Sequence, residues 1–272
     1  MKKTLFLALM LVIGATAFAQ QQMATLNHND TITVFYGHYA LKDAHNAAVA
    51  GDIVTLSPGT FEKCDITKPI TLRGAGATID TIAGTFPTMI LGEFIMAIPN
   101  DSLFNLSVNG IRFGKILINN NTKNVIFEQC FIEEFYNNTQ EVISATFISC
   151  IVKKHDDKYV TDSKGYFTYI NCAIGHLNSC NPSFILYNTY ASTAHSVDMY
   201  HLYAYNSILF AKKFLKEDSY AYNSILIGRV FSDSSIENEN NNMRIGNITS
   251  VFETVTSPYI DDYFSFEERY IL

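Results

Sequence analysis

A short pattern repeats along the middle of this chain. Each copy has an apolar run, a polar residue, a small residue and a second apolar run, as in Ala145-Thr146-Phe147-Ile148-Ser149-Cys150-Ile151-Val152. The small residues fall at positions 130, 150, 172, 189, 207 and 224, so the copies are separated by 20, 22, 17, 18 and 17 residues. A unit of this length cannot bury its own apolar face, whereas stacked neighbours bury a continuous core. The repeat therefore predicts a β-solenoid.

The same column of small residues extends beyond the six clear copies. Gly110, Gly92 and Gly74 continue it backwards at intervals of 18 residues, and Ser250 continues it forwards after a longer interval. The chain is rich in Phe and Tyr and has no Trp, and aromatic and β-branched residues favour strands. We therefore expect an all-β solenoid of around ten rungs, which would be on the order of 50 Å long at about 4.8 Å per rung.

The residue before the small one is polar in most copies. These polar residues are Asn109, Gln129, Ser149, Asn171, Asn188, Asn206 and Asn223. Stacked amides can hydrogen-bond along the solenoid, and Asn tolerates the left-handed backbone of a tight corner. The small column includes Cys130, Cys150 and Cys172, which we interpret as an internal stack of free thiols, because parallel stacking gives poor geometry for a disulfide. A metal site and a disulfide between Cys172 and Cys180 remain alternatives, and the state of Cys64 is open.

The first residues have the three parts of a signal peptide. Two lysines precede an apolar run from Leu5 to Ile13, and Ala-Phe-Ala stands before Gln20. This pattern predicts that residues 1–19 are removed during export to the periplasm, the cell surface or the medium. Residues 20–272 would form a single domain without a membrane span. That domain would have 17 basic and 26 acidic residues, a net charge of −9, which argues against nucleic acid as a partner.

The N-terminal part of the expected domain predicts a cap followed by regular rungs. A short helix over about residues 40–50 would place Leu41, Ala44, Ala48 and Val49 on one face and end at Gly51. Such a helix can cover the open edge of the first rung. The sequence then continues with GDIVTLSPGTF, which fits two strands and a turn, and with KPITLRGAG.

In this succession, over about 35 residues, the chain resembles the opening rungs of pectin-lyase-like, right-handed parallel β-helix proteins. The resemblance implies the handedness of the solenoid. It implies little about activity, because the superfamily includes lyases, hydrolases, esterases and adhesins. Its polysaccharide lyases combine an acidic calcium site with a basic residue, and calcium needs several converging oxygen ligands. The acidic candidates here do not form a complete set, so we predict no metal site and no cofactor, with calcium left open: Asp156, Asp157, Asp162, Asp261 and Asp262.

One segment has an unusual density of reactive side chains. Its candidate catalytic residues are Lys153, Lys154, His155, Asp156 and Asp157. Mixed charges are also ordinary in a solvated turn between rungs, and this is the interpretation that we favour.

Tyrosines recur in the last rungs. Tyr187, Tyr205 and Tyr222 stand two places before the small residue, where earlier rungs have Ile148 and Ile170, so we expect these three in the core. Alternation would place Tyr203, Tyr220 and Tyr200 on other faces of the solenoid. An exposed row of such tyrosines would suit stacking against sugar rings.

The sequence thus predicts an exported, non-catalytic β-helix that binds a glycan or a cell envelope. The alternative is a carbohydrate-active enzyme, a polysaccharide lyase or a hydrolase, that uses the segment around Lys153. Both hypotheses name polysaccharide as the partner.

Overall fold

The structure is a computed structural model that describes residues 21–79, 81–82, 84–98, 105–119, 122–137, 143–156, 165–178, 183–193, 201–211, 220–228 and 243–245. These residues form strands with one helix, α1 (Ala40–Ala47). The first ten strands are β1 (Met23–His28), β2 (Thr31–Tyr36), β3 (Ile53–Leu56), β4 (Gly59–Phe61), β5 (Thr71–Arg73), β6 (Thr88–Met96), β7 (Ser107–Asn109), β8 (Ile111–Ile118), β9 (Val125–Glu128) and β10 (Phe131–Asn137). The others are β11 (Ser144–Ile148), β12 (Ile151–Asp156), β13 (Tyr166–Ile170), β14 (Ala173–Asn178), β15 (Ser183–Tyr187), β16 (Tyr190–Thr193), β17 (Leu202–Tyr205), β18 (Ile208–Ala211), β19 (Tyr220–Tyr222), β20 (Ile225–Gly228) and β21 (Met243–Ile245).

From β3 to β20, successive strands alternate between two sheets. The first sheet has the order β2-β1-β3-β5-β7-β9-β11-β13-β15-β17-β19, and the second has the order β4-β6-β8-β10-β12-β14-β16-β18-β20-β21. All neighbours pair in parallel except β1, which is antiparallel to both β2 and β3. Each coil thus gives one strand to each sheet, and the predicted parallel β-solenoid is confirmed. Among the described residues nine coils, from β3–β4 to β19–β20, have a strand in both sheets, where around ten rungs were expected. The right-handedness stays a prediction.

The core is a stack of apolar side chains between the two sheets. Phe127, Phe147 and Tyr169 come from paired positions of β9, β11 and β13, and their rings lie face to face. The ring centroids of Phe127 and Phe147 are 5.0 Å apart, and those of Phe147 and Tyr169 are 4.4 Å apart. A period near one coil therefore lets identical positions pack on one another through the length of the molecule.

The corner after each strand of the first sheet from β7 to β19 has a left-handed backbone, as predicted. The residues at this corner have φ between 49° and 55°: Gln129, Ser149, Asn171, Asn188, Asn206 and Asn223. In the coil of β7 the left-handed residue is Gly110, with φ 65°, rather than Asn109. Gly110 stacks directly on Gly74, and a Cβ added to Gly74 would lie 2.3 Å from the Gly110 carbonyl oxygen. Gly92 was placed in the same column, which is wrong, because it lies within β6 of the second sheet.

The buried residue after the corner forms a continuous hydrogen-bonded column. The N–H of Cys130 donates to Sγ of Cys150, and the N–H of Cys150 donates to Sγ of Cys172, both over 3.4 Å. The column continues through hydroxyl groups, since Cys172 N–H donates to Thr189 Oγ1 and Thr189 N–H donates to Ser207 Oγ. Cys130, Cys150 and Cys172 are free thiols, as predicted, and so is Cys64. Cys180 lies outside the described residues.

The helix α1 packs at the N-terminal end of the core. It buries Leu41 and Ala44 as predicted, but it ends at Ala47, and Val49 is half exposed. Lys68 holds its C-terminal end, because Nζ donates to the carbonyl oxygens of His45, Asn46 and Ala48 over 2.7–2.9 Å. No helix among the described residues has the length and apolar character to cross a membrane.

Candidate binding face

The described part of the candidate catalytic segment, Lys153 to Asp156, lies in strand β12 of the second sheet and not in a turn. The strand bends at Lys153 and Lys154, so both of these consecutive side chains point outward. The strands of the two preceding coils also have two consecutive outward residues at this place, Glu133 with Glu134 and Gly114 with Lys115. The bends line a shallow depression of about 540 Å³. Its lining consists of Gly92, Glu93, Gly114, Lys115, Glu133, Glu134, Lys153 and Lys154. The mixed charges therefore belong to a stacked surface that crosses several coils.

The charged groups in this depression pair with one another. Lys115 Nζ lies 2.7 Å from Glu93 Oε2 in the adjacent coil. Lys154 Nζ donates to the Tyr136 hydroxyl over 3.1 Å and lies 3.0 Å from Asp156 Oδ2. The Tyr136 ring also stands between the two ammonium groups of Lys115 and Lys154, at 4.9 and 5.1 Å. These contacts link the side chains of adjacent coils. They also engage the charged groups of the depression with one another, and not with a ligand.

A second group of contacts repeats this arrangement beside it. The Phe131 ring lies 4.5 Å from the Arg112 guanidinium and 5.2 Å from Lys153 Nζ. Arg112 forms an ion pair with Glu133 over 3.1 Å, and Lys153 reaches the same carboxylate at 3.9 Å.

The raised pKa values of Lys154 and Lys115 do not suit a catalytic base. Burial alone would lower the pKa of Lys154, but its hydrogen bonds with Tyr136 and Asp156 outweigh burial and raise the pKa well above the ordinary value. The hydrogen bond with Glu93 likewise raises the pKa of Lys115. A lyase base must be unprotonated near neutral pH to remove a proton. Lys154 is therefore a charged structural group.

The other described candidates are buried. His155 is fully enclosed among the rings of Phe135, Phe167 and Phe184, and its Nδ1 is hydrogen-bonded to the Tyr169 hydroxyl. Asp156 is also buried and accepts a hydrogen bond of 3.0 Å from Asn178 Nδ2.

The remaining acidic candidates lie outside the described residues: Asp157, Asp162, Asp261 and Asp262. Within the part of the chain that the structure describes, no three His, Cys, Asp or Glu residues converge to hold a metal.

The tyrosines lie on the opposite sheet and face outward. We call the outward side of β11, β13, β15, β17 and β19 the tyrosine face. The prediction that Tyr187, Tyr205 and Tyr222 are in the core is wrong, since they are 40%, 37% and 46% exposed. The residues that fill the core at these coils are Leu186, Ala204 and Ala221.

Tyr203 and Tyr220 share this face with the other tyrosines rather than occupying different faces. In a strand, residues two apart point to the same side, so Tyr203 accompanies Tyr205 and Tyr220 accompanies Tyr222. The rings of Tyr203 and Tyr220 stack at 5.7 Å, and those of Tyr187 and Tyr205 at 5.1 Å, each pair inclined by 15°. This parity was available from the sequence and would have placed Tyr203 with Tyr205, and Tyr220 with Tyr222, on the same side of the sheet. Tyr200 lies outside the described residues.

A second groove follows the corner beside the tyrosine face. It has a volume of about 480 Å³, and Asn171, Asn188 and Asn206 recur along it, one from each coil. Tyr187 and Tyr205 immediately precede two of these asparagines, so the tyrosine column forms the border of the groove. We call this depression the corner groove.

No protein-family model matches the chain, and no match was found among the curated proteins or the solved structures. The class is therefore defined by fold and surface alone: a parallel β-solenoid with one charged, internally paired face and one face of exposed tyrosines. The relationship with pectin-lyase-like proteins stays a prediction, carried by the resemblance of the first rungs.

Proposed function

We propose that this protein is an exported, non-catalytic β-solenoid that binds polysaccharide, either free or in a cell envelope, through the tyrosine face. The observation that carries the proposal is the exposure of Tyr187, Tyr205, Tyr220 and Tyr222 on one side of a regular sheet. Tyrosine combines a rigid apolar ring with a hydrogen-bonding tip, and such residues are favoured where a surface binds a partner. Their position on strands gives the surface a fixed geometry, which lowers the entropic cost of binding.

A non-catalytic role is supported by the structural contacts that the candidate catalytic side chains make. Lys154 and Asp156 are paired with each other, and His155 is enclosed in the core. These three described candidates of the predicted catalytic segment thus have structural partners. A binding protein needs no acid and base pair, whereas hydrolysis of a glycosidic bond needs two carboxyl groups at a set separation.

The proposal is tested by changing two stacked tyrosines together. The double variant Tyr187→Ser, Tyr205→Ser should bind immobilised polysaccharide at least about tenfold more weakly. Each lost side chain removes a hydrogen bond worth roughly 0.5–1.5 kcal/mol, and about 1.4 kcal/mol corresponds to tenfold in affinity. Affinity electrophoresis or calorimetry against a polysaccharide panel measures the change.

The matched control is Tyr36→Ser in β2, which removes a still more exposed tyrosine, 61% against 40% and 37%, at the far end of the same sheet. It should leave binding unchanged. Equal loss in the control and the double variant, or binding by neither variant nor the unaltered protein, would contradict the proposal.

The enzymatic alternative has a direct test in the same samples. Incubation with each polysaccharide, followed by assays for new reducing ends and for unsaturated products, should show no cleavage. Cleavage that disappears in Lys153→Ala or Asp157→Ala would replace the binding role with a catalytic one.

A further inference from the structure

We infer that the ligand of the tyrosine face and the adjoining corner groove is an uncharged, hydroxyl-rich polysaccharide, rather than one with carboxylate or sulfate groups. This inference rests on the proposed function and names the class of glycan that the site accepts. It follows from the chemistry of the side chains that the two surfaces expose.

The tyrosine face has no ionisable residue other than tyrosine. The outward positions of its five strands hold only these side chains: Ser144, Thr146, Ile148, Tyr166, Thr168, Ile170, Ser183, Ile185, Tyr187, Tyr203, Tyr205, Tyr220 and Tyr222. The first charge towards the N-terminus is Glu128 on β9, which accepts a hydrogen bond from Asn109. A run of five strands without Asp, Glu, Lys, Arg or His is notable in a chain with 45 charged residues, 19 basic and 26 acidic.

The corner groove has the same character. Its eleven lining residues contain no charged side chain and present hydroxyl and amide groups: Ser149, Cys150, Ile151, Asn171, Cys172, Ala173, Asn188, Thr189, Tyr190, Asn206 and Ile208. The depression on the second sheet is the opposite case, because six of its eight lining residues are charged. The two sides of the solenoid therefore differ in chemistry although they have the same architecture.

An acidic glycan would lack partners on this surface. Proteins that recognise carboxylate or sulfate use Arg and Lys, since an anion that loses its water without a cation nearby is strongly destabilised. The described strands of the tyrosine face offer no cation, and the whole chain has a net charge of −7, which repels polyanions at a distance.

An uncharged glycan finds complementary groups. Side chains on a strand stand roughly perpendicular to the sheet, so the stacked tyrosines present ring edges and hydroxyl groups to solvent. A phenol or alcohol hydroxyl both donates and accepts, as do the hydroxyl groups of a sugar. In the corner groove Asn188 Nδ2 donates to Asn171 Oδ1 over 3.2 Å, which holds the amides in a row and leaves further donors and acceptors for a ligand.

The direction of the ligand follows from the repeat. Equivalent hydroxyl and amide groups recur along the solenoid axis once per coil, at about 4.8 Å, and the five strands of the tyrosine face span roughly 19 Å. A polymer with repeating hydroxyl groups that lies along the axis meets the same contacts at each coil. A polymer that crosses the axis would leave this row after one coil.

The experiment compares polymers that share a backbone and differ in charge. The pairs are hydroxyethyl and carboxymethyl cellulose, and methyl-esterified and de-esterified homogalacturonan. For each pair in which either member binds, the uncharged member should bind at least about tenfold more tightly, and its affinity should change less than about twofold between low and high salt.

The possible results separate this inference from the proposed function. Preference for a charged member, or binding that high salt abolishes, overturns the inference while the binding role stands. If no member binds, the proposed function fails and the inference fails with it. Self-association that is lost in the Tyr187→Ser, Tyr205→Ser variant would show that a second copy of the chain occupies the face, which overturns both.

A gain-of-charge variant tests the same point from the protein side. Thr168→Lys places a cation in the middle of the tyrosine face, and Thr25→Lys places one on the outward side of β1. At low salt the first variant should bind carboxymethyl cellulose several-fold more tightly than the unaltered protein, and the second should not. Equal gains in both variants would show that total charge, and not the tyrosine face, governs the choice of glycan.

Discussion

Each coil from β11 to β19 depends on the hydrogen-bonding capacity of one small residue. The Cys150 thiol accepts the N–H of Cys130 in the adjacent coil and donates to the carbonyl oxygen of Ile148 in its own coil, at 3.4 Å in both cases. Ser207 and Ser224 make the same two contacts with a hydroxyl in place of a thiol. This explains why the column drifts among Cys, Thr and Ser, since each has a small side chain that both donates and accepts.

Two replacements of Cys150 should distinguish the contribution of its hydrogen bonds to stability from the contribution of its packing. We expect Cys150→Ala to lower the free energy of unfolding by about 1–3 kcal/mol, because the buried N–H of Cys130 would lose its acceptor. Cys150→Ser retains both contacts and should cost less than about 1 kcal/mol. Urea unfolding followed by circular dichroism measures both variants. Equal losses in Ala and Ser variants would mean that packing of the sulfur, and not hydrogen bonding, matters at this position.

At this scale the sequence predicted the corner well and the tyrosines poorly. The polar residue at each corner was predicted because Asn and Gly are the residues that accept a left-handed backbone. The tyrosines were assigned to the core by analogy with Ile148 and Ile170, which occupy the same positions in earlier coils. Those isoleucines also face outward and are half buried. The tyrosines therefore do occupy equivalent positions, but the assumption that Ile148 and Ile170 are core residues was wrong. Apolar residues on the outer face of a sheet are common enough that identity alone does not reveal the side.

Helix α1 is fastened to the solenoid by two residues that follow it in the sequence. Lys68 supplies donors to its last carbonyl groups, and the N–H of Thr67 donates to Nε2 of the buried His45 over 3.2 Å. The second contact requires a neutral imidazole, because a protonated ring has no acceptor. Burial lowers the pKa of His45, the nearby charge of Lys68 lowers it further, and Asp65 acts in the opposite direction.

The cap should therefore loosen in mild acid. The pKa of His45 is lower in the folded protein than the value of about 6.5 in an unfolded chain. Its contribution to stability is present above pH 6.5, and it is lost as the pH falls towards the folded pKa, because the unfolded chain binds the proton first. Between about pH 8 and about pH 5 the unfolding midpoint should fall less in His45→Gln than in the unaltered protein, since a Gln side chain can accept from Thr67 at every pH. An unfolding midpoint that falls equally with pH in the two proteins would contradict this role of His45.

The elements illustrate why charge patterns were misleading. The charged segment from Lys153 to Lys158 predicts a solvated turn, yet its described part, residues 153–156, continues β12. The strand bends there, so Lys153 and Lys154 both point outward, and the two following side chains enter the core where Tyr169 and Asn178 supply polar partners. A single sequence shows neither the bend nor those partners, because Tyr169 and Asn178 belong to the next coil and meet these side chains only when the coils stack.

At the scale of the whole molecule, the N-terminal end of the first sheet is an exposed edge at which another strand could pair. The first sheet ends at β2, beyond the helix, and all but one of its six residues are exposed. Ile32 and Tyr36 are 67% and 61% exposed, and no residue of β2 is charged. Natural sheets usually protect such edges with lysine, proline or a bulge, because unpaired backbone groups can add another strand. Here the described edge has none of these devices.

We therefore expect association through β2 that grows with protein concentration. An antiparallel pair centred on Val34 would place Ile32 of one copy opposite Tyr36 of the other, so that the apolar side chains share one face. Val34→Lys should keep the protein monomeric in sedimentation velocity experiments over a concentration range in which the unaltered protein associates. The matched control is Thr25→Lys, which adds the same charge beside Val34 on the interior strand β1 and leaves the edge unchanged.

Association that persists in Val34→Lys, or an unaltered protein that stays monomeric at every concentration, would show that this edge is protected by other means. If association is instead lost in the Tyr187→Ser, Tyr205→Ser variant, the contact lies on the tyrosine face, so the two sets of variants assign the interface to one end of the solenoid or to its side.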